Sequence, residues 1–167
     1  MPPAPRRVEP APGQESVWDY PRPPRVEECR RHLRVVFNGR VVAETKRALR
    51  VLETSQPPAY YFPPDDVRLG EFFTRTRHAT FCEWKGVAHY YTIAVEGRTA
   101  ENAAWFYPVP APGYETIAHH VAFYPARVDA CHVDGERAAA QEGTFYGGWI
   151  TRDVIGPFKG GPGTESW

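Results

Sequence analysis

Leu33-Arg34-Val35-Val36-Phe37-Asn38-Gly39-Arg40-Val41-Val42-Ala43-Glu44 sets two β-branched runs on either side of an Asn-Gly pair. A type I′ turn needs positive φ at both central residues, and Asn and Gly accept it, so the stretch predicts an antiparallel hairpin. The rest of the chain agrees with that reading. Eighteen prolines and fourteen glycines lie among Tyr, Trp and Val, and both residues interrupt helices far more than short strands and turns. The expected fold is mainly β, with small antiparallel sheets packed as a compact, barrel-like domain and one short helix.

Outward from the hairpin, Thr45-Lys46-Arg47 is a polar connector and Ala48 to Thr54 a third strand. Pro57-Pro58 and Pro63-Pro64 bracket Ala59-Tyr60-Tyr61-Phe62 as a stiff aromatic edge segment. Asp65 and Asp66 supply N-cap chemistry for the short helix, placed over Val67 to Phe73. A second hairpin is expected from Thr80 to Trp84 and from Val87 to Val95. A two-residue Lys85-Gly86 loop would set Cys82 directly opposite His89, on one face with Trp84 and Tyr91. Thr116 to Tyr124 and Arg127 to Val133 read as partner strands, Asp134-Gly135 as a turn, and Trp149 to Ile155 as a last strand. Residues 1–24 form a proline-rich extended arm that docks through Trp18. Residues 25–167 form one β-rich domain ending in a Gly/Pro-rich strap, since 167 residues with 42% hydrophobic content suit one core.

Twenty basic and twenty acidic residues cancel, leaving no field to attract nucleic acid or an anionic membrane. No apolar run approaches the roughly 18 residues of a membrane span, and the chain reads as cytoplasmic. Cys29, Cys82 and Cys131 are odd in number and widely spaced, which favours reduced thiols over a disulfide framework. No metal set or cofactor motif is read: His119-His120 and Cys131-His132 are strand neighbours that point to opposite faces. Gly156-Pro157-Phe158-Lys159-Gly160-Gly161-Pro162-Gly163 lacks the free N–H groups and following helix of a phosphate loop. No serine sits in a G-x-S-x-G setting.

Three functional readings follow. In the first, the aromatics line a small-molecule pocket walled by Tyr60, Tyr61, Trp105 and Tyr107, with Arg47, Glu53 and Lys85 orienting the ligand by charge. In the second, Cys82 is a nucleophile, His89 its base and Lys85 an electrostatic stabiliser. A free cysteine on a β-hairpin is more often a small core hydrophobe than a nucleophile. In the third, edge strands join a structural homodimer.

The order of Trp18-Asp19-Tyr20-Pro21, Val41-Val42-Ala43, Leu52-Glu53, Pro57-Pro58-Ala59-Tyr60-Tyr61, Cys82-Glu83-Trp84-Lys85-Gly86, Ala104-Trp105, Val121-Ala122-Phe123-Tyr124 and Asp134-Gly135 resembles the bacterial family of domain of unknown function 427 (DUF427). The resemblance runs from about Ser16 to Trp167. It implies a mainly antiparallel β-fold of the β-tent type, built from small orthogonally packed sheets, and no established reaction. A nucleotidyltransferase label attached to that family finds no matching triphosphate motif in this chain. The family pattern also implies a glycine where His119 stands and a proline-aromatic pair where Glu83-Trp84 stands, so this hairpin is the more polar one.

Overall fold

A computed structural model describes residues 5–167, so the first four residues of the proline-rich arm lie outside the described chain. In chain order the elements are β1 (Glu15–Ser16), β2 (Arg25–Cys29), β3 (Leu33–Phe37), β4 (Arg40–Thr45), β5 (Ala48–Leu52), β6 (Ala59–Tyr61), α1 (Leu69–Phe72), β7 (Phe73–Cys82), β8 (Gly86–Val95), β9 (Arg98–Phe106), β10 (Val121–Phe123), β11 (Ala130–Val133), β12 (Glu136–Arg137), β13 (Ala139–Ala140), β14 (Trp149–Ile150) and β15 (Val154–Ile155). Single-turn 3-10 segments at Val17–Asp19, Pro64–Asp66, Glu115–Ile117 and Pro125–Arg127 punctuate them. The protein is mainly β, in small sheets that do not close into a barrel among the described residues. No helix among those residues is long and apolar enough to cross a membrane.

The Asn-Gly hairpin forms as the sequence dictates. Asn38 (φ 48°) and Gly39 (φ 75°) make the turn, and Phe37 pairs with Arg40. Leu33, Val35 and Phe37 alternate into the core while Arg34 and Val36 are half-buried on the other face. This sheet runs β12-β11-β3-β4. Arg127 to Val133 therefore finds a different partner from the predicted one: β11 pairs antiparallel with β3, and Val121 to Phe123 pairs with β9. The Asp134-Gly135 turn forms, with φ of 49° and 83°, and joins β11 to β12.

The predicted helix contracts to Leu69–Phe72. Val67 is drawn into a bridge with Ala43, and Phe73 already opens β7. Asp65 and Asp66 do not cap it, because the N-cap position falls on Arg68. Asp66 instead accepts from Thr45 Oγ1 (2.7 Å) and Arg47 Nε (3.0 Å), a local alternative that such short carboxylates often prefer. Trp149 to Ile155 breaks into two short strands, β14 and β15. β15 pairs in parallel with β1, and Trp18 Nε1 donates to the Pro157 carbonyl at 2.8 Å, so the arm and the strap are fastened to each other.

The sheet β10-β9-β8-β7 positions the site. Alternation along β8 and β9 divides its side chains between two faces. Ile93, Ala104, Val121 and Phe123 join the main core on one face, with Trp149 and Tyr60. Tyr90, Trp105, Ala122 and Tyr124 join a second aromatic cluster on the other, with Tyr61, Tyr107 and Ile117. β7 is the open edge of this sheet, and Phe81 and Val87, which pair across β7 and β8, are both exposed.

Candidate functional site

The second hairpin forms, with a register that differs from the predicted one. Cys82 pairs with Gly86, Phe81 with Val87 and Ala79 with His89. The loop is therefore Glu83-Trp84-Lys85, one residue longer than the Lys85-Gly86 reading. Lys is poorly suited to positive φ at the first position of a tight turn. Here Gly86 alone takes that conformation in the turn, at φ 104°. The partner of Cys82 moves three residues, from His89 to Gly86, and an odd shift carries a side chain to the opposite face, which separates the predicted pair. Cys82 lies on the face of Thr80, Ala88 and Tyr90. His89 lies on the other face, its Nδ1 3.0 Å from Arg75 and its ring 6.0 Å from that of Phe106. The structure does not bring Cys82 and His89 together.

A cavity of about 470 Å³ opens on the Cys82 face. Its floor and walls come from β5 and β6 (Val51, Ala59, Tyr61), from the β7–β8 hairpin (Thr80, Cys82, Lys85, Ala88, Tyr90), and from β9 and its continuation (Trp105, Tyr107). The segment from Phe145 to Gly148 and the ends of the strap, Lys159 and Trp167, complete the lining. Of the predicted pocket residues, Glu53, Tyr61, Lys85, Trp105 and Tyr107 meet here, and Cys82 joins them. Two do not. Tyr60 neighbours Tyr61 on a strand and so points the other way, packing on Trp149 at 5.1 Å between ring centroids. Arg47 is held outside by a bidentate contact with Asp66 at 3.0 and 3.2 Å.

The polar groups in the wall are largely engaged with one another. Trp105 Nε1 donates to the Tyr61 hydroxyl at 3.1 Å. The hydroxyls of Thr80 and Tyr90 lie 2.9 Å apart, those of Tyr90 and Tyr124 3.3 Å apart, and Tyr124 donates onward to the Phe145 carbonyl at 2.9 Å. Burial pushes the phenols of Tyr61, Tyr107 and Tyr124 above the ordinary tyrosine range, so these walls present neutral hydroxyls at physiological pH.

Lys85 sits at the hairpin tip. Its carbonyl accepts from Ala111 N at 2.8 Å, which staples the tip to the Pro108 to Pro112 loop. Its ammonium lies 6.0 Å from the centroid of the Tyr107 ring. Burial strips water from the ammonium and alone would favour the neutral amine. The neighbouring Tyr61, Cys82 and Glu53 outweigh that and hold its pKa above the ordinary lysine value. Glu53 itself is bridged by Arg22 at 3.2 Å.

Sequence reasoning missed Ala88; it set Thr80 on the Cys82 face and Tyr90 among the aromatics able to line a pocket without assigning either to the site, and alternation from Cys82 with the observed register brings all three in. It also missed Arg22, Lys159 and the Phe145 to Gly148 segment, which reach the cavity through tertiary contacts that leave no local pattern. Among the described residues no group of three or more His, Cys, Asp or Glu side chains is placed to hold a metal ion.

Fold and site define a mainly-β protein with an aromatic-walled cavity set between two small sheets. The chain belongs to the family described as Domain of unknown function (DUF427), whose model matches residues 25–134, well over half of its 167 residues. That match spans β2 to β11 and the Cys82 to Gly86 hairpin, and ends before the Gly/Pro-rich strap. No curated protein matches the chain.

Proposed function

We propose that this protein is a small-molecule-binding domain whose ligand occupies the cavity between β6 and the β7–β8 hairpin. The observation that carries this reading is the cavity itself. At about 470 Å³ it lies within the range of ligand sites, roughly 300–1,000 Å³, and Tyr61, Tyr90, Trp105 and Tyr107 give it the aromatic walls usual at such sites. A panel of aromatic fragments assayed by equilibrium dialysis tests it. Fragments are expected to bind the unaltered protein and to be excluded by Ala59→Trp, which places an indole in the cavity from the edge strand β6. Equal binding to both proteins, or to neither, ends the reading.

A second reading is favoured by one juxtaposition. Cys82 and Lys85 both line the cavity, from one hairpin, so a nucleophilic thiol would have a cationic neighbour without His89. Its test is the rate of iodoacetamide alkylation against pH. Cys82 is expected to react faster at neutral pH than the same thiol in urea, and Lys85→Met to abolish the advantage. A Cys82 no faster than its denatured control removes the nucleophile.

A further inference from the structure

The charges that meet in the cavity do not cancel. Its charged side chains among the described residues are Arg22, Glu53, Glu83, Lys85 and Lys159. Arg22 and Glu53 neutralise each other across 3.2 Å, and Glu83 is exposed to solvent on the hairpin turn. Lys159 reaches the Trp167 carbonyl at 3.3 Å and lies 5.2 Å from the Tyr146 ring centroid. Lys85, half-buried, has the Tyr107 ring, Tyr61 and Cys82 close by and Glu53 further off, with no carboxylate within 4.0 Å among the described residues. A half-buried ammonium without an ion-pair partner leaves a place that a bound anion would fill.

We infer that the cavity takes a planar aromatic molecule carrying one carboxylate, with the anion on Lys85 and the rings against Trp105 and Tyr107. This rests on the binding reading above. Several features favour a monoanion over a phosphate. Among the described lining residues Lys85 is the ammonium without an oxygen acceptor, since Lys159 reaches the Trp167 carbonyl, and none of them begins an α-helix. The Gly148 N–H is already given to Gln141 at 3.0 Å. Trp105 and Tyr61 stand edge to face at 6.1 Å, fixed by their mutual hydrogen bond, so the wall is ordered before anything binds. Ordered aromatic walls lower the entropic cost of binding.

Calorimetric titration with four ligands of one shape tests the inference: naphthalene-2-carboxylate, naphthalene-2-carboxamide, naphthalen-2-ylmethanamine and 2-naphthyl phosphate. The carboxylate is expected to bind about tenfold or more tightly than the carboxamide, as a charge-assisted contact would allow. The amine should be weakest and the phosphate no tighter than the carboxylate. Lys85→Met should erase the carboxylate preference while the carboxamide still binds, and Arg47→Met, outside the cavity, should keep it. If Lys85→Met fails to fold by circular dichroism, the four-ligand order on the unaltered protein decides alone. Equal affinity for carboxylate and carboxamide, or a tighter amine or phosphate, overturns the anion assignment while leaving the pocket standing. Failure of all four to bind overturns both.

Discussion

A methyl group at residue 147 has no room. A Cβ on Gly147 would lie 2.6 Å from two atoms of the Trp105 ring and 3.0 Å from Tyr124, and both rings are tied into the cavity wall by hydrogen bonds. Gly147→Ala is expected to cost about 1–3 kcal/mol, the usual range for overpacking a filled site, read as a lower urea midpoint with an unchanged m-value. An unchanged midpoint would show that the wall yields freely. The same scale explains which site residues were legible. Tyr60 and Tyr61 are adjacent and chemically alike, so composition assigned both to a pocket. Strand alternation allows only one, and the hydrogen bond from Trp105 identifies it as Tyr61. Arg47 was unreadable for another reason: its partner, Asp66, was assigned to a helix cap that the chain does not use.

At the scale of elements, the β7–β8 turn governs the site. Gly86 holds φ 104°, and a Cβ there would meet Ala111 N at 3.3 Å. Gly86→Ala is therefore expected to cost about 1–3 kcal/mol in backbone strain. It should also weaken ligand binding more than stability, because the displaced tip carries Lys85. Parallel urea denaturation and dialysis would show this, and a variant destabilised with full binding would mean the tip is not needed. The β3–β4 hairpin was fully legible because Asn-Gly admits one turn type. Cys82-Glu83-Trp84-Lys85-Gly86 was not, because a single glycine is compatible with more than one loop length and position, and the resulting three-residue shift in register, being odd, exchanges the faces. Likewise β10 and β11 each read correctly as a strand, yet neither carries a local signal naming its partner.

Across the whole molecule, much of the charge is tied up between segments distant in sequence. Arg50 links β5 to the arm and to β2, donating to Glu15 at 2.8 and 3.1 Å and contacting Glu27 through Nε. Arg31 joins Asp134 (2.9 Å) and Asp153 (2.5 Å). The hydrogen bond from Arg50 holds the Glu15 carboxyl below its ordinary value of 4.5, and the one from Arg31 lowers Asp134 in the same way. A depressed folded pKa contributes stability that is complete above the unfolded value and is lost as pH falls through the lower folded one. Stability is thus expected to decline as the pH falls below the ordinary Glu15 value of 4.5. Arg50→Met should flatten that decline. It should also cost about 1–3 kcal/mol at neutral pH, less than for a fully buried pair, because Glu15 and Glu27 retain some solvent. An identical acid limb in the variant would remove Arg50 from the account.

The placement of the indoles has a practical consequence. Of five tryptophans, Trp84, Trp105 and Trp167 line the cavity. Trp149 is sealed in the core against Tyr60 and Phe62, and Trp18 packs edge-on against Trp167. Intrinsic emission is therefore weighted towards the one place where an occupant would sit. An unlabelled sample excited at the indole band carries its own optical reporter of occupancy, with Trp149 as the internal standard that a ligand cannot touch.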